Sequence, residues 1–84
     1  MYKVEWSEKA RESLTKIDRT IAKKIEIKVE TELVHNPYDQ GKPLVGNLKG
    51  KWSFRFSDYR VIYEIFQEKL LILVVEVGHR KEIY

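Results

Sequence analysis

The amino-acid sequence predicts an α+β domain in the order β-α-α-β-β-β, with a two-helix hairpin packed on one face of an antiparallel sheet. One alternating segment and two stretches of helically spaced apolar residues fill the first 34 positions. Three strand-like segments follow residue 50. A chain of 84 residues supports one hydrophobic core. We therefore expect a single domain spanning residues 1–84.

The N-terminal part is predicted to form one strand and two helices. Residues 2–6 alternate apolar and polar side chains, which is typical of a half-buried strand. Ser7 and Asp18 are predicted to cap the N-termini of two helices, the second of which continues to about Val34. The apolar positions of the second helix recur every four residues, at Ile21, Ile25, Val29 and Leu33. Because the connection between the helices is short, we expect an antiparallel hairpin.

Residues 36–50 are predicted to form a long loop. They contain both prolines and three of the four glycines. Pro37 ends the preceding helix, because the residue before a proline is pushed out of the helical region. Long loops in small domains often carry function.

The C-terminal part is predicted to form three strands. Residues 52–56 and 59–65 pair as a hairpin around a two-residue turn, Ser57-Asp58. Residues 70–77 are almost continuously apolar, which favours a central strand, and Gly78 is expected to end it. In this register Arg55 lies directly opposite Arg60, on the face away from the core. Like charges facing each other across a strand pair are destabilising. The pair therefore suggests a shared anion, although two side chains splayed into solvent are the alternative.

The charge distribution agrees with an anionic partner. The chain has 16 Lys and Arg against 13 Asp and Glu, a net charge of +3. The excess is local, because residues 42–60 hold five basic side chains and one acid. These basic residues are Lys42, Lys49, Lys51, Arg55 and Arg60. Such a concentration is typical of a phosphate-binding surface, with an ordinary solvated surface as the alternative.

Several chemistries are disfavoured by the composition. There is no cysteine and the two histidines, His35 and His79, are far apart, so we expect no metal site. No glycine-rich phosphate loop is present, and no cofactor is expected. The longest apolar run, residues 70–75, is too short to cross a bilayer, and no signal peptide is evident. We therefore expect a cytoplasmic protein without a membrane partner. Cationic side chains suffice for RNA cleavage, in which the ribose 2′-OH attacks its own phosphate.

Four segments resemble successive motifs of the RelE branch of the RelE/ParE toxin superfamily, in the same order, and the resemblance extends over essentially the whole chain. They are residues 42–44, 46–52, 57–63 and 77–84. The resemblance implies a RelE-like fold and a toxin of a type II toxin–antitoxin system. It further implies a ribosome-dependent endoribonuclease that cleaves mRNA in the A site. The implied partners are a RelB-like antitoxin, the ribosome and mRNA. The free toxin is expected to be monomeric and to form a hetero-oligomer with its antitoxin.

The resemblance also implies roles for individual residues. Arg60 matches the arginine that grips the scissile phosphate, and Arg80 matches one that stabilises the phosphate and protonates the leaving group. Tyr84 matches a tyrosine that stacks on the substrate base. Arg55 falls where the family often has a second cation of the hairpin. Ser53 falls where some members have a lysine proposed to help as the base, so the identity of the base here stays open.

The remaining candidates follow from residue type. Lys49, Lys51 and His79 are candidates for the general base, and histidine has the more suitable intrinsic pKa. We expect the RNA phosphates to be bound by Lys42, Lys49, Lys51 and Lys81. Two alternatives remain open. One is a ParE-type inhibitor that binds DNA gyrase without hydrolysis, and the other is a catalytically weak member that only binds antitoxin.

Overall fold

The computed structural model describes residues 1–79 and Lys81. It confirms the α+β class. The strands are β1 (Lys3–Trp6), β2 (Lys42–Pro43), β3 (Trp52–Phe56), β4 (Tyr59–Phe66) and β5 (Leu71–His79). The helices are α1 (Glu8–Thr15), α2 (Arg19–Lys28) and α3 (Pro37–Gln40). In this described part of the chain, no helix has the length and hydropathy of a membrane span.

The five strands form one mixed sheet in the order β1-β5-β4-β3-β2. Pairing is antiparallel between β2 and β3, β3 and β4, and β4 and β5. The expectation of a wholly antiparallel sheet is wrong for β1, which runs parallel to β5, with Lys3 opposite Leu71. The crossover from β1 to β5 requires the long intervening chain, as parallel pairs always do. The strand β5 lies inside the sheet between β1 and β4, which agrees with its apolar sequence, although the middle strand of the five is β4.

The helical caps form as the sequence predicts. The Ser7 hydroxyl accepts a hydrogen bond from the Ala10 amide at 3.0 Å, which satisfies an amide that the first helical turn leaves unpaired. The Asp18 carboxylate accepts bonds from the amides of Thr20 and Ile21 in the same way. The second helix continues beyond α2 as a π-helical turn, Val29–Leu33, rather than as regular α-helix to Val34.

The core lies between the helices and one face of the sheet. Ile25, Val29 and Leu33 from the second helical segment pack with Phe54, Val61, Tyr63, Ile72, Val74 and Val77 from the strands. All of these side chains are buried. The opposite face, which we call the open face, carries Ser53, Arg55 and Arg60. A sheet with one face on the core and one open face suits a binding surface supported by a rigid scaffold.

The loop over residues 36–50 is more structured than expected, since it contains α3, β2 and a short 3-10 turn at Gly46–Leu48. Its start is fixed to the core, because the buried Tyr63 hydroxyl donates a 2.6 Å hydrogen bond to the Pro37 carbonyl. Gly41 passes so close that a Cβ there would lie 2.1 Å from the Tyr63 hydroxyl oxygen and 2.9 Å from the Ser53 carbonyl oxygen. Only glycine allows this close approach of the backbone. The loop therefore holds β2 firmly against β3.

Candidate active site

The predicted juxtaposition of Arg55 and Arg60 is present in the structure. The two residues are Cα partners in the β3–β4 ladder, flanked by the pairs Phe54 with Val61 and Phe56 with Tyr59. Phe54 and Val61 are buried in the core, so the alternation of the strands places both arginines on the open face. The two arginine side chains thus start side by side on the hairpin. Such a pair is well suited to bind an anion with several oxygens.

The turn between the two arginines fixes their register. Ser57 adopts a left-handed backbone conformation with φ of 54°, which non-glycine residues rarely occupy. The Arg55 Nε donates a 3.1 Å hydrogen bond to the Ser57 carbonyl. A one-residue slip of this hairpin would move Arg55 to the core face, where an unpaired charge is very costly. The register of the arginine pair is therefore strongly specified.

A glycine lies on the other side of Arg60. Gly78 of β5 is its Cα partner, so Arg60 lies between a second arginine and a residue without a side chain. Gly78 belongs to β5, and the expectation that it ends the strand is wrong, since β5 continues to His79.

The next row of the ladder carries Ser53 and Lys42. Ser53 is the partner of Lys42 in β2 and of Ile62 in β4. Although Ser53 is on the open face, only 5% of its surface is exposed, and its hydroxyl has no hydrogen-bond partner among residues 1–79 and 81. Lys42 is exposed. Directly opposed residues on neighbouring strands have Cβ atoms about 5 Å apart, so the Lys42 stem starts beside Ser53.

Two further lysines surround this row. Lys51 is half-buried, and its Nζ lies 3.9 Å from a Glu64 carboxylate oxygen, so part of its charge is compensated. Lys49 is exposed, follows the Gly46–Leu48 turn, and has no ion pair within the described residues. Lys42, Lys49, Lys51, Arg55 and Arg60 thus come from β2, β3, β4 and the loop that precedes β3. Against this group, Glu64 and the turn residue Asp58 are the nearby acids in sequence.

His79 lies on the other face of the sheet. Its Cα partner is Tyr59, and the two rings make an edge-to-face contact with centroids 5.6 Å apart. Tyr59 packs against the core, so His79 shares the helix-covered face. There it lines an open cleft of about 640 Å³ between α1 and the end of β5, together with Glu8, Glu12 and Glu76. The expectation that His79 follows the last strand is wrong, and the structure does not bring its side chain to the arginine pair.

The remaining candidates belong to the C-terminal tail. Arg80 and Tyr84 lie outside the described residues. Lys81 is exposed in a turn, and its amide donates a 3.2 Å hydrogen bond to His79 Nδ1.

The chemistry that the described site offers is cationic. No cluster of three or more metal-ligating side chains occurs within residues 1–79 and 81. Arg55, Arg60 and Lys42 start on one face of the sheet, where they can neutralise a phosphate and the extra negative charge of its transition state. Burial raises the pKa of the Tyr63 phenol, which stays protonated as a structural hydrogen-bond donor.

Sequence reasoning missed three features of this site. The pairing of Lys42 with Ser53 was missed because β2 is only two residues long and includes a proline. The role of Gly41 was missed because a close backbone approach leaves no local pattern. The position of Gly78 opposite Arg60 follows from the length of β5, and extending the apolar run past the glycine would have revealed it.

Comparison with known proteins identifies the family. The family model described as the ParE toxin of type II toxin–antitoxin systems, parDE, matches residues 4–84. The chain belongs to the RelE/ParE superfamily of toxins. It is 32% identical over 83 residues to Toxin RelG of Mycobacterium tuberculosis, covering 99% of this chain and 95% of that protein. It is 28% identical over 86 residues to the mRNA interferase toxin RelE of Escherichia coli, covering 99% of this chain and 90% of that protein.

Solved structures of superfamily toxins share the fold. The toxin–antitoxin complex RelBE2 from Mycobacterium tuberculosis matches with a TM-score of 0.90 and 32% identity, covering 94% of this chain and 98% of the matched chain. The isolated Escherichia coli RelE toxin matches with a TM-score of 0.76 at 22% identity, covering 94% of this chain and 84% of that one. The second likeness concerns the fold alone. The protein is therefore a type II toxin built on the RelE-like sheet.

Proposed function

We propose that this toxin is a ribosome-dependent endoribonuclease that cleaves mRNA in the A site. The observation that carries the proposal is the pairing of Arg55 with Arg60 on the open face, beside the bare Gly78. Like charges directly opposite each other on paired strands are destabilising, and an anion bound by both arginines would offset that cost. The name of the Escherichia coli relative, mRNA interferase toxin RelE, supports RNA as that anion.

The mechanism assigned to this face is an internal transfer at the RNA phosphate. The ribose 2′-OH attacks the adjacent phosphorus, the bond to the 5′-oxygen of the next nucleotide breaks, and a cyclic phosphate remains on one product. Arg60 and Arg55 bind the non-bridging oxygens, whose negative charge increases in the transition state. The 2′-OH proton goes to a base and the leaving oxygen receives a proton. By the family resemblance, Arg80 donates that proton and Tyr84 stacks on the substrate base.

The base is better sought among the lysines than at His79. The imidazole ring of His79 contacts Tyr59 on the helix-covered face, so the sheet itself lies between it and the arginine pair. A general base must be within hydrogen-bond reach of the proton it removes. The Lys51 Nζ lies 3.9 Å from a carboxylate oxygen of Glu64, which shares the open face with Arg60 by the alternation of β4. Lys49 lies two residues before Lys51 in the chain.

We also propose a RelB-type antitoxin as the partner of this toxin. Matched structures include the RelBE2 complex and the intact Escherichia coli RelBE complex. A partly acidic segment that folds on binding would complement the cationic open face. In this scheme the toxin is active on the ribosome and is inhibited when it forms a hetero-oligomer with the antitoxin.

The variant Arg60→Ala tests the ribonuclease. Purified toxin is incubated with ribosomes programmed with a defined mRNA, and cleavage is mapped by primer extension. Removing one donor that stabilises a developing oxyanion lowers the cleavage rate by about 10²–10³-fold. The matched control Arg11→Ala removes an exposed arginine from α1, on the other side of the sheet, and should cleave at the wild-type rate. Full activity of a folded Arg60→Ala protein would contradict the proposal.

A second candidate function is inhibition of DNA gyrase without hydrolysis. The observation in its favour is that the matching family model is that of the ParE toxin. The two functions share a fold, so the fold does not separate them. Induction of the toxin followed by parallel mapping of mRNA ends and of gyrase-linked DNA breaks separates them. DNA breaks without new mRNA ends would favour gyrase, and neither signal would indicate a catalytically weak member that binds antitoxin.

A further inference from the structure

The open face contains a cation that the hairpin does not supply. Lys42 is the Cα partner of Ser53, so its side chain emerges on the same face as Ser53 and Arg55. It is exposed, and no ion pair engages it within residues 1–79 and 81. Lys42 is therefore the charge of β2 that is available to a ligand on this surface.

Lys42 starts beside a short, buried side chain, that of Ser53. Ser53 is central in the row between Lys42 and Ile62, only 5% of its surface is exposed, and its buried hydroxyl has no hydrogen-bond partner in the described chain. A hydroxyl accepts hydrogen bonds and a lysine ammonium group only donates them. The unpartnered Ser53 oxygen is therefore a hydrogen-bond acceptor for a lysine ammonium group that extends toward it from β2.

The position of Lys42 is also firmly held. The preceding residue, Gly41, lies against the Tyr63 hydroxyl and the Ser53 carbonyl. Tyr63 in turn donates its hydrogen bond to Pro37, at the start of the same loop. A charge on a support tied to the core at two points is preorganised, which is what a binding site requires.

The spacing matches that of a nucleic acid strand. The row of Lys42 and Ser53 is two residues away from the row of Arg55 and Arg60, which is about 6.7 Å along the strand direction. Consecutive phosphates of a nucleic acid strand are separated by a similar distance. Two adjacent RNA phosphates can therefore be contacted at once, one by the arginine pair and one by Lys42.

We propose that Lys42 binds the RNA phosphate next to the scissile one, from a position on β2 directly opposite Ser53. This inference rests on the proposed ribonuclease function and deepens it. Lys42 here is a substrate-binding residue, and it orients the RNA so that the reacting phosphate meets Arg55 and Arg60.

Binding and cleavage are measured for Lys42→Ala, with Lys24→Ala on the exposed surface of α2 as the matched control. The binding probe is a 2′-O-methyl oligoribonucleotide of mixed sequence, which has no free 2′-OH and is not cleaved. Loss of one charge-assisted phosphate contact weakens binding by about tenfold. The dependence of log affinity on log salt becomes shallower by about 1. Lys42→Arg should retain wild-type binding, since it keeps the charge.

A relocation variant tests whether a cation on either strand of this row supports binding. Moving the cation across the strand pair, in Lys42→Ala with Ser53→Lys, should restore most of the lost binding and cleavage, because the long stem of lysine lets its charge reach solvent from a buried position. Thermal melts of each variant confirm that it is folded. Unchanged binding and salt dependence in Lys42→Ala would overturn the inference. Wild-type binding without any mRNA cleavage would instead overturn the ribonuclease and leave Lys42 as a nucleic-acid contact.

Discussion

Replacing Tyr63 with phenylalanine removes one oxygen atom from the centre of the molecule. The side chain is fully buried, and its hydroxyl donates a 2.6 Å hydrogen bond to the carbonyl of Pro37, which is also buried. Tyr63→Phe keeps the ring and its packing. The carbonyl of Pro37 then loses the partner that ties the loop of residues 36–50 to the core.

The magnitude follows from these contacts. A neutral hydrogen bond contributes about 0.5–1.5 kcal/mol net, and a buried acceptor left without its donor costs about 1–3 kcal/mol. We expect Tyr63→Phe to lower the free energy of unfolding by about 1–2 kcal/mol. For a domain of this size the melting temperature then falls by roughly 5–15 °C.

The assay is urea denaturation followed by circular dichroism, at pH 7 and again above pH 10. The control is Tyr38→Phe, because Tyr38 is 46% exposed and its hydroxyl donates to the Gln67 side chain on the surface. We expect that control to change stability by less than about 0.5 kcal/mol. Tyr63→Phe proteins as stable as Tyr38→Phe proteins would refute the reasoning.

The alkaline measurement isolates the phenolic proton of Tyr63. Burial raises the pKa of the folded Tyr63 above its ordinary value of 10.0. The folded chain therefore holds this proton more tightly than the unfolded chain does. The contribution of this raised pKa to the free energy of unfolding is fully present below pH 10. Above pH 10 it falls by about 1.4 kcal/mol per pH unit, until the Tyr63 phenol of the folded protein ionises. Phenylalanine does not ionise, so the stability gap between wild type and Tyr63→Phe should narrow above pH 10.

Two further predictions concern neighbouring features. Gly41→Ala should destabilise the protein more than Tyr63→Phe does, since its Cβ would lie 2.1 Å from the Tyr63 hydroxyl oxygen. In a urea denaturation series, the double variant should lose less stability than the sum of the two single variants. His79→Gln should retain most of the mRNA cleavage in the primer-extension assay and give an unchanged pH–rate profile, because the imidazole lies on the face away from Arg60. A profile that loses an ionisation near neutral pH would place His79 in the reaction.

The parts of the molecule that sequence predicted well are those fixed by local rules. The register of Arg55 with Arg60 follows from a two-residue turn and strict alternation, and it is confirmed. The caps at Ser7 and Asp18 follow from the preference of short polar side chains for helix N-termini, and they are confirmed.

The parts that sequence missed depend on contacts distant along the chain. No local pattern in residues 2–6 indicates whether the first strand pairs parallel or antiparallel. The side of His79 was obscured because β5 is apolar on both faces, and because the register shift between Ile62 and Tyr63 leaves Val75 without a partner in β4. The pairing of Lys42 with Ser53 is visible only in the three-dimensional structure, since neither residue is unusual in the sequence.

The parallel pairing of β1 with β5 has a consequence for the synthesis of the toxin. The strand β1 reaches its partner, residues 71–74, only after residues 7–70 have also been made. Contacts this far apart in sequence form late, since the intervening loop must be closed first. A nascent or prematurely ended chain thus lacks both a completed sheet and the Gly78 position beside Arg60. The order of the strands thus delays the completion of the sheet that carries the arginine pair until β5 has been made.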